Sequence, residues 1–303
     1  MNVLVGSTGF VGSNLYTPER FGAAYHSTNI ADAYGTKPDL LVYAGVRAEK
    51  FLANRDPEKD LENIRQAEAN IEKIRPRRLV LVSTIDVFRT PAGADETAEI
   101  ETEGLHPYGY NRYLLEQWVR EYQPEALIVR LPGLFGKNLK KNFIYDYIHR
   151  IPSMLKDEKF AELSRRDPRL EAYYTPLDNG FRKAAVPEGE AAKVRGIFDG
   201  LGFSALNFTD SRSRFQFYGL DRLWDDLQAA LENGLKLLHL ATEPVSAGEL
   251  YEYLAGEPFV NELAAPPAAY DFRTRYARLF GGEGDYLCSK AEVMNAIREF
   301  VNP

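Results

Sequence analysis

The sequence is poor in cysteine and histidine. Its one cysteine, Cys288, cannot form an internal disulfide, and this usage fits a reducing compartment. The four histidines are scattered and form no Cys/His cluster at zinc spacing. We therefore expect a cytoplasmic protein without a metal site.

Long apolar runs and an excess of positive charge are also missing. The apolar run at the N-terminus is only a few residues long and leads into a glycine loop, which predicts neither a signal peptide nor a membrane span. The net charge of −7 argues against a nucleic-acid or anionic-membrane partner. A hydrophobic fraction of 45% and a charged fraction of 27% indicate a globular protein with one large domain or two unequal ones.

Short apolar runs alternate with longer amphipathic segments over the first half of the chain. The short runs are 2–5, 40–44, 78–83 and 126–131. They are continuous, as in strands that are buried on both faces of a parallel sheet. The longer segments, 56–75 and 110–122, carry their apolar residues on one helical stripe. This rhythm predicts an α/β protein with a Rossmann-type doubly wound parallel sheet.

The rhythm changes after about residue 137. We predict a dinucleotide-binding Rossmann domain at 1–137 and a smaller C-terminal lobe, mainly substrate-binding, at 138–303. Residues 138–213 are polar, with helical patches and turn signals and little sign of a sheet. Residues 235–242 are a strand candidate that would rejoin the main sheet.

Two later helices carry start signals in the sequence. Ser246 is followed by Glu249, and Ser289 by Glu292, which is the spacing of a capping box in each case. We therefore expect helices at 244–256 and 289–301.

Three glycines follow the first strand directly. Gly6, Gly9 and Gly12 have the spacing G-x-x-G-x-x-G in a strand–turn–helix context. The first permits a tight turn, the second lets the backbone approach a pyrophosphate, and the third allows close packing of helix on strand. The loop predicts a dinucleotide site. The alternative is a tight βα turn without a ligand.

The segment 21–32, which corresponds to the second strand of a dinucleotide fold, does not decide between NAD and NADP. A dinucleotide fold usually has an acidic residue there to hold the adenosine ribose. This chain has His26, Ser27 and Thr28 instead, and no arginine lies immediately there to hold a 2′-phosphate. Both cofactors stay open.

With these motifs the chain resembles the extended short-chain dehydrogenase/reductases, in particular the NAD-dependent epimerase/dehydratases of nucleotide sugars. The segments that carry the resemblance are the glycine loop, "PDLLVYAG" (38–45), "VLVSTIDVF" (80–88), "PYGYNR" (107–112) and "RLPGLFG" (130–136). They run in the family's order. The resemblance implies an enzyme with NAD or NADP as cofactor, a nucleotide-sugar substrate and a homodimer built on the helix that holds Tyr108.

The resemblance also assigns residues to the site. Tyr108 is the expected acid/base, Thr84 orients the same substrate oxygen, and Arg112 takes the place of the family's lysine. The residues assigned to the cofactor are Gly6, Thr8, Gly9, Phe10, Val11, Gly12, Ser27, Ala44, Gly45, Ser83, Tyr108, Arg112 and Pro132. Those assigned to the substrate are Asp86, Asn142 and Arg214.

Arg112 departs from the family pattern. A cation four residues after a tyrosine lies on the same helix face and favours the phenolate, so we expect a lowered pKa for Tyr108. Arginine keeps its proton and cannot pass it onward as lysine can. The pair could work with altered geometry, bind ligands with little turnover, or leave the chemistry to other groups.

Several reactions remain open. Asp86 stands where the family's 4,6-dehydratases carry a glutamate base, but Ile85 stands where they carry an acid, which counts against dehydration. We expect a NAD(P)-dependent reductase or epimerase. The alternatives are a dehydratase, or a dinucleotide-binding scaffold or redox sensor with weakened chemistry, and Asp86 could also simply pin its loop.

Overall fold

The computed structural model describes residues 1–302. The β-strands are β1 (Asn2–Val5), β2 (Ala23–Tyr25), β3 (Leu40–Tyr43), β4 (Leu79–Thr84), β5 (Leu127–Leu131), β6 (Gly133–Phe135), β7 (Met154–Lys156), β8 (Tyr174–Pro176), β9 (Phe181–Ala184), β10 (Arg214–Phe215), β11 (Phe217–Gly219), β12 (Leu237–His239) and β13 (Val245–Ser246). The α-helices are α1 (Phe10–Leu15), α2 (Lys50–Arg55), α3 (Pro57–Ile74), α4 (Pro107–Tyr122), α5 (Phe143–His149), α6 (Asp157–Arg166), α7 (Ala191–Leu201), α8 (Leu223–Glu232), α9 (Ala247–Ala255) and α10 (Lys290–Val301).

A parallel sheet organises the first of two compact units, which comprises residues 1–139, 214–245 and the chain from Ala269 onward. Its strand order is β12-β5-β4-β3-β1-β2. All five pairings are parallel. The predicted fold class is therefore confirmed, and β12 lies at the edge beside β5 as the apolar segment 235–240 indicated.

The sheet is buried on both faces, as the continuous apolar runs predicted. Every residue of β3 and β5 is buried. Leu4, Val42, Val80 and Val129 belong to one apolar cluster, together with residues of α8. The alternate residues of the same strands belong to a second cluster, with apolar residues of α3 and α4. The helices thus cover the two faces and leave the carboxyl ends of the strands available for a site.

The second unit comprises residues 140–213 and 246–268. It contains an antiparallel sheet of order β7-β9-β8, which the polar composition of this region did not predict. Its core includes Phe160, Leu163 and Phe198. The unit is smaller than the predicted lobe at 138–303, because 214–245 and the chain from Ala269 pack with the first unit.

The capping boxes at Ser246 and Ser289 are present at the starts of α9 and α10. In each, the serine side chain accepts from the glutamate N–H, and the glutamate side chain accepts from the serine N–H. Both predicted helices are confirmed. Over residues 1–302, no helix is both long and apolar enough to cross a membrane.

Candidate active site

The glycine loop turns tightly at the carboxyl end of β1. Gly6 has a φ of 94°, a conformation that favours glycine. Its N–H donates to the Tyr25 carbonyl oxygen at 2.8 Å, and its own carbonyl accepts from Gly9 N–H at 2.9 Å. Gly9 then forms the N-cap of α1, where no side chain caps the helix. The backbone amides of the first helical turn therefore have no side-chain competitor for a ligand.

Side chains would not fit at two of the three glycines. A Cβ on Gly12 would lie 2.1 Å from the carbonyl oxygen of Gly6, and a Cβ on Gly6 would lie 2.4 Å from that of Ala44. A Cβ on Gly9 would meet only the Gly6 oxygen, at 3.2 Å, and Gly9 is exposed. At Gly6 and Gly12 the loop thus packs its backbone against other backbone atoms of the protein. Its exposed surface at Gly9 carries no side chain. This cradle fits a dinucleotide pyrophosphate.

The other residues predicted for the cofactor lie after the carboxyl ends of the strands. Thr8 is exposed in the loop, while Phe10 and Val11 pack on the core and offer only backbone atoms. Ser27 is exposed in the turn after β2, Ala44 and Gly45 follow β3, and Pro132 follows β5. Because the strands are parallel, these positions share one edge of the sheet.

Tyr108 and Thr84 meet at this edge. Tyr108 is in the first turn of α4 and is 7% exposed, and Thr84 ends β4. Burial raises the pKa of the Tyr108 hydroxyl, and the neighbouring Thr84 side chain acts in the opposite direction. Thr84 Oγ1 accepts from the N–H of Asp86 at 3.1 Å. Gly109 lets the start of α4 lie against the turn after β4, since a Cβ there would overlap the carbonyl oxygen of Asp86.

Arg112 is held inside the protein. Its guanidinium carbon lies 4.0 Å from the centroid of the Tyr108 ring, and the residue is only 4% exposed. It forms an ion pair with Asp60 of α3 and donates to the Arg47 carbonyl oxygen. Asn111 also donates to Asp60, at 2.9 Å. The cation that the sequence placed beside Tyr108 is present, but a buried carboxylate neutralises it.

Burial changes the expected ionisation of Tyr108. Burial raises the pKa of Tyr108, and the charges of Asp86 and Asp60 raise it further. The Arg112 charge and the Thr84 hydrogen bond lower the pKa, as predicted from the sequence, but they do not outweigh burial. The expected net lowering is therefore wrong. Tyr108 in this structure is poised as a proton donor.

Removing Asp60 should destabilise the fold. Asp60→Ala leaves the Arg112 guanidinium buried without its counter-charge, because both side chains are almost fully buried. We expect the free energy of unfolding to fall by about 3–5 kcal/mol in urea titrations. Glu125→Gln, which breaks the exposed ion pair with Lys236, is the matched control and should change stability little. Equal stability of Asp60→Ala and the native protein would contradict this description.

Ser83 lies beside Thr84 but points into a buried polar network. Its hydroxyl donates to Glu116 Oε1 at 2.6 Å. Arg130 donates to the same carboxylate at 2.6 and 3.0 Å, and also to His239 Nε2 at 3.1 Å. His239 Nδ1–H in turn donates to the Arg273 carbonyl. The Ser83 hydroxyl is thus engaged within the protein, and a cofactor role for Ser83 stays a prediction.

The buried histidine should make stability depend on pH. Burial, reinforced by the Arg130 charge, lowers the pKa of His239 to about 3. An unfolded histidine titrates at about pH 6.5. Between that pH and the pKa of about 3 in the folded protein, the unfolded chain binds one proton more than the folded chain. Stability is therefore lost as the pH falls, by at most about 1.4 kcal/mol per pH unit.

Urea unfolding between pH 7 and 5 measures this loss. His239→Gln keeps an acceptor for Arg130 and cannot titrate, so its stability should vary less over this range. The same dependence in both proteins would show that other groups are responsible.

A charged cluster adjoins Tyr108. Asp86 Oδ1 accepts from Lys50 Nζ at 2.7 Å and lies 3.9 Å from His106 Nε2. His106 is the N-cap of α4, and its Nδ1 accepts from the Gly109 N–H at 3.0 Å. Neither Lys50 nor His106 was predicted from the sequence as a site residue. The histidine could have been found from its place before Pro107 at a helix start, whereas nothing in the sequence signals Lys50.

The three predicted substrate residues have different surroundings. Asp86 is in the cluster beside Tyr108, as described above. Arg214 is exposed in the first unit, and its carbonyl accepts from the N–H of Tyr270. The pKa of Tyr270 is raised by burial and by the Asp86 charge. Asn142 is in the second unit, where its side chain caps α5 by accepting from the Tyr145 N–H at 3.1 Å.

Metal-binding geometry is not found within residues 1–302, where no group of three or more His, Cys, Asp or Glu side chains could hold an ion. The polar side chains described at this edge are Tyr108, Thr84 and the charged cluster around Asp86. A tyrosine within hydrogen-bond reach of a hydroxyl can exchange a proton with a substrate oxygen.

Solved structures resemble this chain over its whole length. One is the crystal structure of dTDP-4-dehydrorhamnose reductase from Bacillus anthracis with NADP, at 16% identity and a TM-score of 0.62, covering 99% of this chain and 96% of that chain. A second is an NAD-dependent NDP-hexosamine 5,6-dehydratase involved in tunicamycin biosynthesis, at 14% identity and a TM-score of 0.60, covering 99% and 97%.

A third is a mutant UDP-glucuronic acid 4-epimerase from Bacillus cereus with NAD and a fluorinated UDP-sugar, at 14% identity and a TM-score of 0.58, covering 100% of this chain and 99% of that chain. No family model matches the sequence, and no curated protein matches it. At these identities the likeness establishes the fold.

Proposed function

We propose that this protein is a NAD(P)-dependent oxidoreductase or epimerase acting on a nucleotide-linked sugar. The observation that carries the proposal is the pairing of Tyr108 with Thr84 at the sheet edge that also holds the glycine loop. The three structures of similar fold belong to a reductase, a dehydratase and an epimerase, and all three names specify a nucleotide-linked sugar. This agreement supports the substrate class.

The glycine loop is suited to the cofactor. The bare side of the loop at Gly9 would receive the pyrophosphate, with Gly6 and Gly12 holding the turn in shape. Ser27, exposed after β2, would lie toward the adenosine ribose. No acidic residue or arginine stands in the turn 26–28, so NAD and NADP both remain compatible. When bound, the nicotinamide would supply or accept the hydride.

Tyr108 would handle the proton. In reduction the hydride would add to the carbonyl carbon of the sugar, and the Tyr108 hydroxyl would donate its proton to the carbonyl oxygen, while Thr84 would donate a hydrogen bond to the same oxygen. In epimerisation Tyr108 would first take the proton from a sugar hydroxyl and would then return it as in reduction. Burial raises the pKa of Tyr108, so the hydroxyl holds its proton at neutral pH and is in the form that reduction requires.

Arg112 would have a supporting part. Both terminal nitrogens of its guanidinium already have protein partners, Asp60 and the Arg47 carbonyl, while the buried Nε has none within residues 1–302. That N–H would be the group left for the cofactor ribose. The buried pairing also favours the alternative of a dinucleotide-binding protein with weakened chemistry.

Assembly and location are further expectations. The resemblance implies a homodimer through α4, and α4 exposes Tyr110 and Tyr122, at 41% and 37%. Light scattering of the purified protein would measure its mass in solution. A cytoplasmic location rests on the cysteine usage described above.

Cofactor binding and turnover test the proposal together. The nucleotide that co-purifies with the protein should be identified by mass, and reduction should be followed with NADH and NADPH against UDP-, GDP- and dTDP-linked keto sugars. Epimerisation of the corresponding sugars is followed by the change in product stereochemistry. Turnover on one of them supports the enzyme. Tight cofactor binding without turnover on any sugar would favour the weakened alternative, and no binding would overturn both.

A further inference from the structure

A small apolar cluster includes the turn that joins Thr84 to Asp86. Its buried members are Ile85, Ala241 and Phe272, and two tyrosines, Tyr270 and Tyr286, pack against it. Ile85 is the residue between Thr84 and Asp86 in the turn after β4. The cluster therefore places both tyrosines near the groups to which the proposed function assigns the sugar.

The hydroxyl groups of these two tyrosines differ in their partners. The Tyr286 hydroxyl donates to Asp271 Oδ1 and is engaged within the protein. The Tyr270 hydroxyl forms no hydrogen bond within residues 1–302, although the residue is only partly exposed. A tyrosine hydroxyl that is largely removed from water usually has a partner. That of Tyr270 is available to a ligand.

The Tyr270 ring is fixed before any ligand binds. The Tyr270 N–H donates to the Arg214 carbonyl oxygen at 3.1 Å, and the ring stacks on Phe215 with 6.2 Å between the centroids. Two residues further on, Gln216 accepts from the Phe272 N–H and donates to the Phe272 carbonyl oxygen, both at 2.8 Å. A side chain that is already ordered loses less conformational entropy on binding.

The segment that follows Tyr270 is fastened to the loop between β4 and α4. Glu96 of that loop accepts from the Thr274 hydroxyl at 2.7 Å. The Arg273 N–H donates to the Ala94 carbonyl oxygen at 2.8 Å. The same loop joins the turn after β4 to the start of α4. Residues 270–275 are thus tied to both elements that carry the proposed catalytic side chains.

Building on the proposed function, we propose that the Tyr270 hydroxyl binds the sugar and selects keto sugars that carry a hydroxyl group on the carbon beside the carbonyl. Tyr108 and Thr84 bind the carbonyl oxygen, and Tyr270 donates a hydrogen bond to the neighbouring sugar hydroxyl. A largely apolar wall with a few well-placed polar groups is typical of small-molecule sites. Tyr270 supplies both, through its ring and its hydroxyl.

The charges around Tyr270 agree with this role. Burial raises the pKa of the Tyr270 hydroxyl, the Asp86 charge raises it further, and the Lys50 charge lowers it. The hydroxyl therefore keeps its proton at neutral pH and can donate. Asp86 and Lys50 are paired with each other at 2.7 Å, whereas the Tyr270 hydroxyl is uncommitted.

Removing a hydroxyl from each partner tests the contact. kcat/KM is measured for the native protein and Tyr270→Phe with 4-keto sugars linked to UDP, GDP or dTDP, and with analogues in which hydrogen replaces the hydroxyl on carbon 3. The native protein should prefer the hydroxylated sugar by about five- to tenfold, the usual size for one hydrogen bond. Tyr270→Phe should lose most of this preference and should reduce the deoxy sugar at the native rate.

Tyr276→Phe is the matched control. Tyr276 follows the same segment of the chain but packs on the apolar cluster that includes residues of α8. The loss of its hydroxyl should leave kcat/KM native for both sugars. Cofactor titrations of all three proteins should give equal affinities, because the proposed contact is made to the sugar.

The outcomes separate this contact from the proposed function. An equal loss of kcat/KM for the hydroxylated and the deoxy sugar in Tyr270→Phe would assign the tyrosine a packing role and overturn the proposal. A native protein that does not distinguish the two sugars, an unchanged preference in Tyr270→Phe, or a weakened cofactor affinity in this variant would also overturn it. Absence of turnover in the native protein on every keto sugar would instead count against the proposed function, and with it against the contact.

Discussion

Tyr108→Phe is expected to lower kcat by about 10²–10⁴-fold, the usual contribution of a positioned acid or base. The substitution removes one hydroxyl and keeps the ring under the Arg112 guanidinium, which lies 4.0 Å from the ring centroid. The aromatic packing and the buried ion pair should therefore survive. Because the glycine loop is untouched, cofactor affinity should stay near its native value. Steady-state kinetics and a cofactor titration measure the two effects separately.

Tyr110→Phe is the matched control, on the same helix and two residues away. Tyr110 is 41% exposed. Its loss of a hydroxyl should leave kcat unchanged. Native kcat in Tyr108→Phe, or an equal loss in both variants, would mean that Tyr108 does not transfer the proton.

Gly12→Ala should weaken dinucleotide binding by about tenfold to hundredfold. The new Cβ would lie 2.1 Å from the Gly6 carbonyl oxygen and 3.0 Å from Ser7 Cα, and both are backbone atoms with little freedom to move. Overpacking of this kind costs about 1–3 kcal/mol of folding free energy, and the loop can relieve it only by shifting its backbone. We expect this shift to remove a comparable part of the binding free energy, and about 1.4 kcal/mol corresponds to tenfold in affinity. The strain falls on the loop that would hold the pyrophosphate.

Gly200→Ala controls for the general effect of a glycine-to-alanine change. Gly200 lies in α7, where an added Cβ has no heavy atom within 4 Å. Helix propensity predicts that this variant is more stable by about 0.5–1 kcal/mol, with unchanged cofactor affinity. Isothermal titration with NAD and NADP measures the affinities. Native affinity in Gly12→Ala would show that the cofactor does not depend on the shape of this loop.

The sequence predicts the central sheet well because its signals are local. The runs at 2–5, 40–44, 78–83 and 126–131 are continuous and apolar, and each contains a strand that is buried on both faces. The two serine-glutamate pairs mark helix starts through contacts only three residues apart. The six-stranded sheet follows from the rhythm of these segments.

The short strands of the second unit lack such signals. β7, β8 and β9 have three or four residues each, and several of these are exposed or charged. Runs this short carry too little apolar periodicity to distinguish a strand from a turn. The return of residues 214–245 to the first unit is also a property of tertiary packing.

In the candidate site, too, the features with local sequence signals could be predicted and those that depend on tertiary packing could not. The glycine spacing and the order of Thr84 and Tyr108 could be found from the sequence. The state of Arg112 could not, because its partner Asp60 is 52 residues away in the chain and on another helix. Lys50 meets Asp86 across 36 residues. Burial, which depends on tertiary packing, decides the direction of the Tyr108 pKa shift, and the charges of the distant residues Asp86 and Asp60 add to it.

Deuteride transfer is the most direct test of a hydride-transferring nucleotide-sugar enzyme. The protein is incubated with NADH or NADPH carrying deuterium at nicotinamide carbon 4, on each face in turn, and with keto sugars linked to UDP, GDP or dTDP. We expect mass spectrometry to find deuterium on the former carbonyl carbon of one sugar, from one face of the cofactor, and Tyr108→Phe to form this product far more slowly. A bound cofactor that gives up no deuterium to any of these sugars would contradict the proposed function.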